Sequence, residues 1–77
     1  MFSKNGDIQI AARLSHVRHD VGYSQAKVAA ITDVSNSTYK NYETGRRDPQ
    51  IAFVKVFCEV FDVSFDWLLA GKGEPKK

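Results

Sequence analysis

The sequence predicts an all-α domain of five short helices, and three observations lead to that fold class. Apolar residues follow helical spacing (i, i+4, i+7, i+11) near the N-terminus, at Ile10, Leu14, Val17 and Val21. A serine or an aspartate precedes each helical segment, where its side-chain oxygen can accept from the first free N–H groups. Glycines follow the first and the last segments, and glycine is the usual residue just beyond a helix C-terminus. The chain has no internal repeat, and no segment needs to be a strand.

Caps define the first three helices. The first begins at about Asp7, its N-cap, and ends at Val21 before a glycine. Ser24 caps the second helix, and Ser35 caps the third, which runs to Thr44. An apolar residue precedes each of these serines and can pack against the interior of its helix as a hydrophobic staple. Two capped helices this close together predict a compact helix-turn-helix.

The last two helices follow a short connection. Asp48 is expected to be the N-cap of the fourth helix and Pro49 its first residue, the position that tolerates proline best. That helix continues to about Phe61. Ser64 then caps a final helix over residues 65–70, from which a tryptophan and a leucine should return to the core.

The length and composition predict one small intracellular domain. It covers residues 7–71, between an N-terminal arm of residues 1–6 and a flexible basic tail of residues 72–77 that is too polar to pack. A chain of 77 residues leaves little volume for a deep substrate pocket. No apolar run approaches the ~20 residues of a membrane span, and the N-terminus lacks the apolar stretch of a signal peptide. Cys58 is the single cysteine, which favours a reduced, cytoplasmic setting.

Catalytic and metal-binding motifs are missing from the sequence. His16, His19 and Cys58 are too few for a metal site, so a core cysteine and surface histidines are expected instead. We find no phosphate-binding loop, nucleophile elbow or zinc-protease motif. The sequence therefore predicts no enzyme activity, no metal, no cofactor and no small-molecule ligand.

The third helix carries a polar face suited to reading base edges. A helical wheel places one set of side chains on the arc that faces away from the domain: Asn36, Ser37, Lys40, Asn41 and Thr44. Amides can bond adenine in the major groove, and an ammonium can reach guanine or a phosphate. The opposite arc holds two tyrosines, which we expect in the core. From these residues alone, DNA contact and an ordinary solvated helix face are equally open.

These features resemble the Cro/CI-type helix-turn-helix family of phage repressors and related bacterial regulators. The similarity spans roughly residues 10–74. The matching residues, in order and spacing, are Ser24-Gln25-Ala26, Ala29, Val34-Ser35, Ser37-Thr38, Glu43, Gly45, Pro49 and Val63-Ser64-Phe65-Asp66-Trp67-Leu68-Leu69. The resemblance implies a five-helix, lambda-repressor-like fold that binds operator DNA as a dimer, with residues 35–44 as the recognition helix.

The resemblance also implies roles for individual residues. Base contacts are expected at the start of the second helix and along the third, at Gln25, Asn36, Ser37, Lys40 and Asn41. Contacts to the DNA backbone are expected at Lys27, Thr44, Arg46 and Arg47. Glu43 is expected to pair with Arg18 in a partly buried salt bridge that fixes the recognition helix; the alternative is a free surface acid. Asp33 and Asp62 stand where the family usually has glycine, and aspartate tolerates the left-handed conformation better than most residues.

The fourth helix has two apolar stripes. The expected core arc consists of Ile51, Val54, Phe57, Cys58 and Phe61. A second stripe of Phe53, Val56 and Val60, with Phe65 nearby, is expected to form a two-fold dimer interface, because a helix apolar over so much of its circumference usually has a second partner. A larger core that absorbs these residues is the alternative.

The sequence thus predicts a sequence-specific regulator of transcription that binds double-stranded DNA. The leading hypothesis is a Cro-type phage or prophage repressor that binds operator half-sites as a homodimer, in the cytoplasm of a bacterial cell or phage-infected host and at the nucleoid. Alternatives on the same fold are a restriction-modification controller, an antitoxin, or a protein-interaction adaptor that has lost DNA binding. The operator sequence, and the choice between repression and activation, stay open at this stage.

Overall fold

Five helices follow one another in residues 6–76, the part of the chain described by the computed structural model. They are α1 (Ile8–Val21), α2 (Gln25–Ile31), α3 (Asn36–Glu43), α4 (Ile51–Phe61) and α5 (Phe65–Ala70). The predicted all-α class and the number of helices are confirmed for this part. Most of the predicted N-terminal arm, residues 1–5, and Lys77 lie outside the described residues.

Four predicted N-caps are confirmed by backbone hydrogen bonds to their side chains. The bonds run from Gln9 N–H to Asp7 (2.8 Å), Lys27 N–H to Ser24 (3.1 Å), Thr38 N–H to Ser35 (3.0 Å) and Trp67 N–H to Ser64 (3.4 Å). Each bond satisfies one of the N–H groups that a helix start leaves without a partner.

The predicted N-cap of the fourth helix, Asp48, is wrong. α4 begins at Ile51 with Gln50 at the N-cap position and no capping side chain. Asp48 has a different partner, because its Oδ1 accepts the backbone N–H of Asp7 at 2.6 Å. This bond joins the loop after α3 to the start of α1. The two segments touch closely, since a Cβ added to Gly6 would lie 2.5 Å from the backbone of Arg47.

The core is built around the aromatic side of α4. Phe53 is 3% exposed, and its ring centroid lies 4.9 Å from that of Tyr42 and 5.6 Å from that of Phe57. Its assignment to an outer dimer stripe is therefore wrong. Ile51, expected in the core, is 67% exposed. Both errors have one cause: the buried arc of α4 is centred nearer to Phe57 and Phe61 than predicted, which brings Phe53 inside and leaves Ile51 out.

The segment after α5 folds back onto the domain. Its chain reverses at Lys72, whose N–H donates to the Asp66 carbonyl, and Pro75 accepts the N–H of Ser64 at 2.8 Å. Val63 and Lys76 then form an isolated antiparallel bridge. The expectation that this tail does not pack is corrected, because backbone hydrogen bonds hold it and these do not depend on side-chain polarity.

Two turns use aspartate in the left-handed region. Asp33 between α2 and α3 has φ = 60°, and Asp62 after α4 has φ = 56°. The expectation that aspartate takes the usual glycine conformation here is confirmed. An L-residue adopts this conformation at a cost that glycine avoids.

Candidate nucleic-acid interface

The outer face of α3 is a row of unengaged polar groups. The side chains of Asn36, Ser37 and Lys40 are exposed, and Asn41 is half-buried. None of the four forms a side-chain hydrogen bond or ion pair within the described residues. Their donors and acceptors are therefore available to a partner from outside the domain.

The inner face of α3 anchors the helix. Tyr39 is fully buried and Tyr42 is 4% exposed, so both tyrosines belong to the core as expected. Burial raises the pKa of the Tyr39 phenol above its ordinary range, with the Glu43 carboxylate adding to the rise. The phenol is therefore neutral at physiological pH, and burial makes both rings inaccessible for stacking on a base.

Arg18 and Glu43 form the expected salt bridge between α1 and the end of α3. Arg18 Nε and Nη2 each donate to a different Glu43 carboxylate oxygen at 2.8 Å. The side chains are only 12% and 6% exposed, respectively. Arg18 Nη1 also donates to the Tyr23 carbonyl at 2.9 Å, which extends the network to the start of α2. Such a planar two-bond pair fixes orientation as well as distance.

The charge states of this pair reinforce each other. Although burial alone would raise the pKa of the Glu43 carboxyl, hydrogen bonds from Arg18 and Gln25 outweigh burial and lower the pKa below its usual range. The bond to Glu43 raises the pKa of Arg18. Both groups are therefore ionised at neutral pH. Glu43 is neutralised within the domain, so its charge does not face an incoming phosphate.

Gln25 belongs to the same network, which sequence reasoning did not foresee. Its Nε2 donates to Glu43 Oε1 at 3.1 Å. An ionised carboxylate can only accept, so the amide group must turn its NH2 toward Glu43. The second N–H and the carbonyl oxygen remain for another partner. Side chains from α1, α2 and α3 thus meet at one carboxylate, which locks the two helices of the motif together.

The turn after α3 is tied back to that helix by backbone hydrogen bonds, two of which share one carbonyl. The Asn41 carbonyl accepts the N–H of Arg46 at 3.0 Å and that of Arg47 at 3.3 Å. Gly45 makes the turn possible with φ = 80°, and a Cβ there would press on Ile8 at 3.2 Å. The guanidinium groups of both arginines are exposed, so two cations flank the C-terminal end of α3.

Lys27 is held near the start of α2 by an aromatic ring. Its ammonium lies 4.5 Å from the centroid of the Tyr23 ring, within cation–π range. Tyr23 in turn contacts Phe61 edge-on at 6.0 Å. In the sequence, Tyr23 is the apolar residue of the hydrophobic staple before Ser24. Its aromatic ring, one turn before a lysine, was the signal for this contact.

The exposed apolar residues of α4 lie on two separate surfaces. Phe65 lines an apolar groove of about 230 Å³ between α4 and α5, whose other lining residues are Ile51, Val54, Lys55 and Leu69. Val56 and Val60, 40% and 48% exposed, lie across α4 from that groove. The predicted interface therefore loses Phe53 to the core and is divided between two faces. We call the first face the α4–α5 groove.

Residues 6–76 contain no cluster of three or more histidine, cysteine or acidic side chains with metal-binding geometry. Within the same range no helix has the length and apolarity to cross a membrane.

The fold and this surface define a DNA-binding helix-turn-helix protein: two short helices locked by a buried ion pair, with the polar face of the second exposed. The sequence model of the helix-turn-helix family matches residues 16–68. The chain belongs to this family, in its Cro/CI-type form, and its class is that of transcriptional regulators.

Three curated relatives come from Bacillus subtilis (strain 168). The chain is 33% identical to the HTH-type transcriptional regulator ImmR over 70 residues, which are 91% of this chain and 54% of ImmR. It is 32% identical over 59 residues to the SPbeta prophage-derived uncharacterized HTH-type transcriptional regulator YonR, covering 77% of this chain and 55% of YonR. The HTH-type transcriptional regulator AnsR is 32% identical over 57 residues, 74% of this chain and 49% of AnsR. The chain spans about half the length of these relatives.

Proposed function

We propose that this protein is a Cro-type phage or prophage repressor that binds operator half-sites in double-stranded DNA as a homodimer. The observation that carries the proposal is the combination on α3 of an outer face without internal partners and an inner face held by Tyr39, Tyr42 and the Glu43 network. A recognition element must be rigid on one side and chemically open on the other. The prophage-derived relative supports the phage context.

Five side chains on α2 and α3 are proposed to read base edges. Asn36 and Asn41 can each bond adenine through two contacts, and Lys40 can reach the acceptors of guanine. Ser37 adds a hydroxyl that bonds several bases. Gln25 joins them from the start of α2 with the N–H and the carbonyl oxygen that Glu43 leaves free. These five residues are the proposed base readers.

A second group holds the protein on the duplex without reading sequence. Arg46 and Arg47 on the rigid turn, and the Thr44 hydroxyl beside them, are proposed to contact phosphates. Lys27 is proposed to contact a phosphate near the start of α2, with Tyr23 limiting where its ammonium lies. Their contribution should fall steeply with salt, because each contact releases counterions.

The α4–α5 groove is the proposed dimer interface. One recognition helix reads too few base pairs for a specific site, whereas two related by a dyad read half-sites ~34 Å apart on one face of the duplex. Phe65 and Leu69 are 48% and 37% exposed, and the stem of Lys55 completes a lining without polar surface. The same groove on a second copy of the chain would pack against these residues, and the Lys55 ammonium of each copy could still reach water.

Selection of bound sequences from a random duplex library tests the proposal. The expected product is a two-fold symmetric consensus whose half-sites are about 10 base pairs apart from centre to centre. An unsymmetric single half-site would remove the dimer from the proposal. Failure to enrich any sequence at low salt would remove sequence-specific recognition itself.

A further inference from the structure

A second cavity lies on the opposite side of α4 from the α4–α5 groove, beneath the turn that joins α2 and α3. Its volume is about 300 Å³, and its lining residues are Thr32, Asp33, Val34, Tyr42, Gln50, Ala52, Phe53 and Val56. We call it the turn pocket. Its floor is apolar, with Phe53 buried and Val56 40% exposed at its edge. This volume is at the lower end for ligand pockets and suits one large apolar side chain.

The walls of the turn pocket are fixed by the turn itself. The N–H groups of Asp33 and Val34 donate to the Ala30 and Ala29 carbonyls at 3.3 and 3.0 Å. Thr32 is 4% exposed and donates its hydroxyl to the Val28 carbonyl at 2.7 Å. The turn therefore does not have to fold when the pocket is filled.

Asp33 is the residue on the rim that the fold itself does not explain. Its φ of 60° is one that glycine adopts without strain. Its carboxylate is exposed and forms no hydrogen bond or ion pair within the described residues. The fold thus places an unneutralised carboxylate, at a conformational cost, beside an apolar cavity. Asp62 shares the left-handed backbone but lines neither the turn pocket nor the α4–α5 groove. The neighbouring cavity, and not the backbone conformation alone, therefore points to an external role for Asp33.

We propose that the turn pocket is a docking site for a partner protein that presents a leucine-sized apolar side chain next to a lysine or arginine. The apolar side chain fills the cavity, and the cation pairs with Asp33. A second copy of this chain is assigned to the α4–α5 groove, whose lining has no carboxylate to pair with a cation. A second copy at the turn pocket is the competing outcome that the titration detects.

Two dipeptide probes test the charge requirement without DNA. The 15N-labelled protein is titrated with acetyl-Leu-Arg-amide and, separately, with acetyl-Leu-Glu-amide at millimolar concentrations. The arginine probe should shift the amide signals of residues 32–34 and 52–56, and the glutamate probe should bind about two- to fivefold more weakly, the usual scale for one solvent-exposed ion pair. Equal binding of the two probes, or shifts by neither, would overturn the proposal.

Asp33→Gly is the decisive variant, with Asp62→Gly as its matched control. Both changes remove an aspartate from the left-handed region, so both should raise Tm and neither should unfold the protein. Only Asp33→Gly should lose the preference for the arginine probe. If Asp33→Gly still binds the arginine probe more tightly than the glutamate probe, Asp33 does not pair with the cation. If the same signals shift with protein concentration and no probe, a second copy covers the pocket, and the partner assignment is wrong. Neither experiment involves DNA, so a negative result would overturn the docking site without bearing on the proposed DNA-binding function.

Discussion

Arg18 holds Glu43 with two parallel hydrogen bonds of 2.8 Å across a separation of 25 residues. The pair joins α1 to the last residue of α3, and Gln25 adds the start of α2 to the same carboxylate at 3.1 Å. The Glu43 side chain therefore fixes the orientation of α3 relative to α1 and α2, whereas the exposed face of α3 makes no such contact.

Replacing Glu43 with alanine should destabilise the fold. It leaves the guanidinium of Arg18, 12% exposed, without its carboxylate. We expect a loss of about 2–3 kcal/mol in the free energy of unfolding, the range for hydrogen bonds to charged groups. Thermal melts should show Tm lowered by about 4–8 °C per kcal/mol. Glu59→Ala, which removes an exposed acid from α4, is the matched control. Equal melts for the two variants would show that the bridge does not stabilise the domain.

The bridge should make stability depend on acid. The folded-state pKa of Glu43 lies below its ordinary value of 4.5. A depressed pKa gives stability that is fully present above the unfolded-state value and is lost as pH falls through the folded-state value. Glu43→Gln should therefore be less stable than the parent at pH 7, and the difference should shrink below about pH 4.5. Denaturant titrations across pH 2–7 measure it; a difference that is constant with pH would contradict the prediction.

Asn36 and Arg46 should affect DNA binding differently. Asn36→Ala should weaken binding to the selected operator by about 1–3 kcal/mol and hardly change binding to random duplex DNA. Arg46→Ala should weaken both to the same degree and reduce the salt slope by about 0.9 per phosphate contact. Lys72→Ala, which removes an exposed cation beyond α5 and away from both proposed interfaces, controls for the lost charge. Fluorescence anisotropy over a salt series separates the two classes, and equal loss of specificity in both variants would refute the division.

The proposed dimer interface can be tested with two residues of equal exposure. Phe65 and Val60 are each 48% exposed but lie on different faces. Phe65→Asp should abolish dimerisation in analytical ultracentrifugation, while Val60→Asp should leave it intact. Aspartate is favourable in the first turn of α5, so helix stability should not confuse the result. A dimer lost in Val60→Asp and kept in Phe65→Asp would move the interface to the other face of α4.

The left-handed aspartates should be replaceable at a gain in stability. Asp62→Gly should stabilise the protein by about 0.5–1 kcal/mol, because the penalty of a Cβ in this conformation is removed. Ala12→Gly, at an exposed position inside α1, should cost about 0.5–1 kcal/mol, since glycine loses more chain entropy than alanine in a helix. The two Tm shifts should have opposite signs. A lower Tm for Asp62→Gly would mean that its side chain stabilises the turn.

Features that depend on local chemistry were predictable from the sequence. Ser24, Ser35 and Ser64 cap their helices because the N–H groups they satisfy lie within three residues. The inner arc of α3 was predictable as well, since helical geometry alone separates Tyr39 and Tyr42 from the asparagines. The Arg18–Glu43 pair needed more than geometry, and came from the resemblance to a known family.

Features that depend on tertiary contacts were not predictable. Asp48 has the chemistry of a cap, but the N–H that reaches it belongs to Asp7, 41 residues away. Phe53 is apolar on a helix that is apolar on most sides, so only the packing of Tyr42 against it decides that it is buried. The return of the chain at Pro75 uses a backbone carbonyl, which every residue has and no pattern marks.

The Asn41 carbonyl, which accepts two N–H groups from the turn after α3, has a consequence for the thermodynamics of binding. Because the turn is already ordered in the free protein, Arg46 and Arg47 would lose only side-chain entropy on forming the proposed DNA contacts, about 2 kcal/mol each at most. The heat-capacity change on binding should then follow the apolar area buried at the interface, without the excess that accompanies coupled folding. Calorimetry at several temperatures would measure how far the domain meets its operator as a rigid body.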